Sequence, residues 1–309
     1  MKTLRLLPVL VALIAAPLTA RTLEDPPVFL LQWGSFGTGP GQFEFPHGLA
    51  TDADGNVYLA DLNNDRIEVF TGDGVFLRQW SIGGMRRPRG IAISPGGEVY
   101  VSDNLGVRVY TLNGILLRNW GGVTDADGIA LDAAGNVYVG DTGNGRIRKF
   151  TGTGTLITQW GSSGSALGEF GMPSGVVVDS QDKVYVADYA NARIQKFDSD
   201  GTFISAWATP DLFAPMYLAV DESDNLYVTD NIHDRCFKFT SDGTLILQWG
   251  TGGSAQGHFI DPTGIALDHL GNVFVAESTS PNSSRVQKFG LVPTAVGRRT
   301  WGSVKAKYR

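Results

Sequence analysis

The chain has 309 residues, 42% of them hydrophobic, and a formal net charge of −6; that is enough apolar material for a full core, and it excludes a disordered chain. Lys2 and Arg5 near the start and five basic residues after position 290 lie in stretches without an acid, so residues 21–290 stand at −13. A body that acidic repels phosphate backbones, which argues against nucleic acid as a partner.

Residues 1–20 carry Lys2 and Arg5, an apolar run from Leu6 to Ala16, and Thr19 and Ala20 before Arg21. This three-part layout reads as a secretory signal peptide cleaved near Ala20, with a run too short for a permanent membrane helix. The protein is expected to be secreted or periplasmic, with no transmembrane segment in its mature form. The single cysteine, Cys236, cannot form an internal disulfide; placed between Arg235 and Phe237 in a predicted strand, it reads as a small buried side chain.

From Pro46 onward a unit of roughly 40 to 47 residues returns six times, a period that points to propeller blades. The copies run over 46–80, 88–120, 126–160, 173–207 and 215–249, and a sixth begins at Pro262 and stops at Phe289. In the third copy, GIAL, NVYVG, RIRKF and TLITQW are separated by DAAG, DTGNG and TGTG, which predicts four short strands joined by tight turns. Alternation in the middle runs predicts strands with one buried face. The end missing from the sixth copy stands at the other terminus, where VFLLQWG from Val28 matches LILQWG before Gly250. The N-terminal strand is therefore expected to complete the last blade and remove the open sheet edge. Residues 291–309 remain as a basic C-terminal tail.

The copy PSGVVVDSQDKVYVADYANARIQKFDSDGTFISAW, from Pro173 to Trp207, resembles the NHL repeat, and the six copies together cover nearly all of residues 28–290. The resemblance implies an all-β fold, a six-bladed β-propeller. Members of that family divide into binding platforms for protein, RNA or glycan and a few lyases or hydrolases, so the resemblance does not choose a function.

Positions that recur once per blade read as packing. Trp33, Trp80, Trp120, Trp160, Trp207 and Trp249 end the outermost strands, and Tyr58, Tyr100, Tyr138, Tyr185, Tyr227 and Phe274 sit in the second strands. Asp61, Asp103, Asp141, Asp188 and Asp230 precede an arginine by five residues, which predicts a structural ion pair across each loop. The sixth copy departs from this spacing with Glu277 and Arg285. Phe43, Phe170 and Phe259 in the long glycine-rich connectors read as anchors.

Following strand direction, the loops after each tryptophan and after each repeated acid share one face of the ring, and function is placed there. At the position before the innermost-strand glycine, His47, Arg89, Asp127, Ser174, Met216 and Thr263 differ in every blade; they are the candidate ligand-binding residues at the channel mouth. No catalytic constellation is assembled. An amidating lyase of this build would hold zinc with clustered histidines, but His47, His233, His258 and His269 come from different blades and loops. Lactonase-like relatives hold a channel calcium with carboxylates, and Asp127 beside Arg89 is a poor start for one. No metal and no cofactor is expected, with calcium as the alternative. The sequence reads as an exported, monomeric, non-enzymatic propeller that recognises a protein or glycan; the rival is a metal-dependent lyase or lactonase-like hydrolase at the channel mouth.

Overall fold

The computed structural model describes residues 24–81, 84–279 and 283–290. The expected signal peptide over 1–20 and the basic tail over 291–309 lie outside them. Among the described residues no helix is long and apolar enough to cross a membrane.

Six four-stranded antiparallel sheets form in chain order. The first runs outward through Pro46–Thr51, Val57–Asp61, Arg66–Phe70 and Phe76–Trp80, and the next four repeat the order. In the sixth, Pro262–Leu267, Val273–Thr279 and Ser283–Gly290 are joined at the outer edge by Val28–Trp33, with Val28 opposite Gly290 and Trp33 opposite Val286. Innermost strands touch their neighbours all the way round, from the sixth back to the first, so the ring is closed.

One expectation is corrected. The second strands are buried on both faces, as in Val57–Asp61, because a blade lies against each side of every sheet; alternation survives only in outermost strands such as Phe76–Trp80. The core is accordingly a set of clusters between blades. Tyr58, Val69 and Trp80 of blade one pack with Val99, Val101 and Tyr110 of blade two, and a buried aromatic side chain of this size contributes roughly 2–3 kcal/mol.

The repeated tryptophans lie against the next blade. A Cβ on Gly74, Gly114, Gly154, Gly201 or Gly243 would fall within 3 Å of the indole of Trp33, Trp80, Trp120, Trp160 or Trp207, and each of these glycines also has a left-handed φ. The turn between the third and outermost strands therefore requires glycine twice over. All six indole N–H groups are buried without an acceptor, so the position supplies packing and not a polar contact.

Closure leaves one gap in the pattern. Lys149 and Lys196 each donate to a carbonyl in the next blade's outer turn, Ser199 and Ser241, at 3.2 and 3.0 Å. Lys238 of blade five has no such turn to reach, because the outer strand of blade six comes from the other end of the chain. Glu24 fills that place, with its carboxylate 2.7 Å from the Lys238 ammonium.

Candidate functional site

The loops of the first face are set by the repeated acids. Each accepts the backbone N–H of the loop that feeds its own blade: Asp61 from Glu44, Asp141 from Thr124, Asp188 from Gly171, Asp230 from Phe213 and Glu277 from Ile260, at 2.7 to 3.0 Å. Asp61, Asp103, Asp141, Asp188 and Glu277 also hold Arg66, Arg108, Arg146, Arg193 and Arg285. Two details differ from expectation. Blade six keeps its ion pair despite the longer spacing, because its hairpin lengthens on both strands and Arg285 still stands directly opposite Glu277. Blade five loses it: Arg235 turns to the carbonyl of His233 and to Asp211, 3.8 Å away, and Asp230 spends its oxygens on loop N–H groups.

With the loops held, the first face opens into a cavity of about 740 Å³ at the channel mouth. His47, Arg89, Asp127, Met216 and Thr263 line it. Ser174 does not: it is 1% exposed and its hydroxyl lies 2.8 Å from the carbonyl of Met216 and 3.2 Å from that of Pro215, tying blade four to blade five. Thr263 likewise spends its hydroxyl on the carbonyl of Pro46, 2.8 Å away in blade one. The rim adds Phe45, Arg87, Asp125 and Asp261, each immediately before an innermost strand and each with left-handed φ between 47° and 58°.

The channel is plugged beneath this mouth by a residue that sequence reasoning passed over. Innermost strands approach so closely that a Cβ on Gly48, Gly90, Gly128 or Gly264 would sit 2.1 to 2.5 Å from a carbonyl of the neighbouring blade. Blade five has Tyr217 in this glycine column, and its ring crosses the channel. The Tyr217 hydroxyl lies 2.6 Å from Oδ1 of Asp127 and 3.0 Å from Nδ1 of His47. The departure from glycine was readable in the repeat, but its two partners stand 90 and 170 residues away and meet it only in the closed ring. Below Tyr217 the channel is a pocket of about 310 Å³ walled by innermost-strand residues such as Leu49, Ile91, Ile129 and Leu218.

The plug fixes the state of His47. Tyr217 has one proton and gives it to the nearby carboxylate of Asp127, so Nδ1 of His47 must donate to the tyrosine oxygen, which leaves Nε2 as an acceptor. Burial, joined by Arg89 and Arg87 and opposed by Asp127, lowers the histidine below its ordinary 6.5, so the ring is neutral near pH 7. Burial and then Asp127 push the Tyr217 phenol well above its ordinary 10.0, which keeps its proton in place. His47 keeps 11% of its side chain exposed to the mouth, and its Nε2 has no partner among the described residues.

No group of three or more His, Cys, Asp or Glu side chains converges in a metal-holding arrangement among the described residues. The described residues thus supply no clustered-histidine set of the zinc kind weighed for relatives. Cys236 is fully buried, and burial pushes its thiol well above the ordinary 9.0, so it is no nucleophile.

The NHL repeat family matches residues 43–70, 124–150 and 170–197. NHL repeat-containing protein 3 of Homo sapiens is 43% identical over 56 residues, 17% of this chain and 16% of the relative, and its Mus musculus counterpart is 35% identical over 81 residues, 25% of this chain and 23% of the relative. The match thus spans less than a quarter of either of these relatives. A streptogramin B lyase structure shares 13% identity with a TM-score of 0.63 over 82% of this chain and 95% of that one. A propeller in a nidogen/laminin complex shares 20% with a TM-score of 0.60 over 73% and 86%. At these identities the likeness is one of fold, and a lyase and a protein complex both use it. Three blades match the NHL repeat directly and the other three carry the same strands and turns in the same ring, so the chain carries NHL repeats in a six-bladed β-propeller.

Proposed function

We propose that this protein is an exported binding module that recognises a protein or glycan by taking one of its groups into the channel mouth. The observation that carries this reading is the contrast within each innermost strand: packing positions agree from blade to blade, whereas His47, Arg89, Asp127, Met216 and Thr263, which stand at one repeat position and line the 740 Å³ cavity, all differ. Such a cavity is within the size range of small-ligand sites. The test is calorimetry with glycan and peptide panels on the whole chain and on Met216→Trp, which fills the mouth. Binding by the first and not by the second supports the reading; equal binding by both sinks it.

One observation favours a second reading, catalysis at the same mouth. A neutral histidine with an acceptor nitrogen turned to a cavity and its other nitrogen held by Tyr217 and Asp127 is what a general base requires. No step through a metal is derived. Recovery of any bound ligand after long incubation separates the readings: intact ligand supports binding alone, and a product lost in His47→Gln supports catalysis.

A further inference from the structure

We propose that the channel mouth is a subsite for a hydroxylated carboxylate of the uronic-acid type, with its carboxylate on Arg87 and Arg89 and a hydroxyl donating to Nε2 of His47. This rests on the binding reading above and names the ligand class for it.

The first support is an imbalance among the arginines. Arg66, Arg108, Arg146, Arg193 and Arg285 are each held by an acid, whereas the guanidiniums of Arg87 and Arg89 have no hydrogen bond or ion pair among the described residues. Arg89 is half-buried and faces the same cavity as His47. A partly desolvated guanidinium without a partner is costly, and a planar carboxylate repays that cost through paired N–H donors.

The second support is the backbone. Outside glycine, left-handed φ values occur at aspartates, at Ala192, and at two long side chains, Phe45 and Arg87. A bulky residue is strained there, and glycine would remove that strain. Both are at the rim of the mouth, where Phe45 is 39% exposed. The loop carrying Arg87 is fixed as well, its N–H donating to Asp65 at 2.7 Å. The fold thus accepts strain in order to present an apolar ring and a cation at one opening.

The third support is the distribution of acceptors. Asp125 on blade three and His47 on blade one line the same cavity as the two cations of blade two. A bare inorganic anion makes no use of those acceptors and meets the Asp125 carboxylate; a simple cation makes no use of the guanidiniums. A sugar acid uses both, carboxylate to arginine and hydroxyls to the acceptors, with its ring against Phe45.

The experiment is calorimetric titration of the whole chain with oligogalacturonate and with the matched neutral oligogalactose. The acidic oligomer should bind at least about tenfold more tightly, with an affinity that falls as salt is added. Arg89→Gln should weaken it by about tenfold or more and Arg89→Lys by less, neither lowering the unfolding midpoint, since the guanidinium has no partner among the described residues to lose; Arg87→Gln provides an independent second variant. Equal binding of the two oligomers, or binding indifferent to both arginines, overturns the proposal while leaving the mouth as a binding site if Met216→Trp abolishes it. Binding of neither oligomer also overturns it, and the peptide panel then decides the broader reading separately.

Discussion

Blades four and five are neighbours built on one pattern, and they treat that pattern differently. Blade four keeps Gly175 in the innermost strand, pairs Asp188 with Arg193 at 2.8 Å, and uses Gln195 to bridge the loop carbonyl of Glu169 and the carboxylate of Asp188. Blade five puts Tyr217 in the glycine column, lets Arg235 leave Asp230, and has the apolar Phe237 where blade four has Gln195. At the outer edge Lys196 finds a turn carbonyl, and Lys238 must use Glu24. The ring therefore does not need every blade to be complete. It needs each interface filled, and one blade can exchange its standard contacts for others that serve the mouth or the seam.

The largest expected effect comes from removing the acid in each blade. Asp188→Ala takes the carboxylate from the half-buried Arg193, which keeps the carbonyls of Ser165, Ala166 and Glu169, and from the buried Gln195, and should cost about 2–3 kcal/mol, whereas Asp230→Ala, whose arginine has already left, should cost clearly less; urea unfolding of the two variants measures the difference directly. Equal losses would show that blade five depends on its acid as blade four does.

Glu68 of blade one occupies the position of Gln195 and Gln287, accepting the N–H of Gly41 as they accept those of Gly168 and Gly257. Burial first, with Asp61 adding and Arg66 and Gly41 opposing, pushes its carboxyl from 4.5 to about 7. The folded state thus keeps a proton that the unfolded chain releases. Its contribution is full below pH 4.5 and is lost as the pH rises through 7. Glu68→Gln should stabilise the protein at pH 8 by on the order of 2 kcal/mol and change little at pH 4, as unfolding at both pH values will show.

Tyr217→Phe keeps the ring in the channel but removes the bridge between His47 and Asp127, for an expected loss of about 1–2 kcal/mol. Glu24→Ala leaves Lys238 with Asp221, 3.5 Å away, and the Tyr227 ring, and because Glu24 is itself partly exposed the loss should be about 0.5–1 kcal/mol. The smallest effect is a slope. His47 is held neutral, so its contribution is present above pH 6.5 and is lost as the pH falls toward its lowered folded value; His47→Gln should flatten that part of the stability profile, read from thermal midpoints between about pH 5 and 7.

The ring, its closure by Val28–Trp33, the anchoring phenylalanines and the acid–arginine pairs were legible because each is a local feature repeated at a fixed period. Phe43, Phe170 and Phe259 are all fully buried, as their place in the long connectors implied. The mouth was legible only in outline. Strand direction placed His47, Arg89 and Asp127 on one rim, but Ser174 belongs to a seam between blades, and the role of Tyr217 was missed because attention fell on the residue before the glycine column and not on the column itself.

By itself, the order of residues determined the blade count, the strand order and the face that carries variable loops, because those follow from hydrophobic period, turn chemistry and direction along a repeated unit. Only the tertiary structure decided which of the variable residues meet: Tyr217 of blade five reaches Asp127 of blade three and His47 of blade one, the guanidiniums of Arg87 and Arg89 have no partner among the described residues, and Glu24 completes a contact that no hairpin could supply. Closing a ring brings residues together by geometry around an axis, and distance along the chain carries no record of distance across a channel.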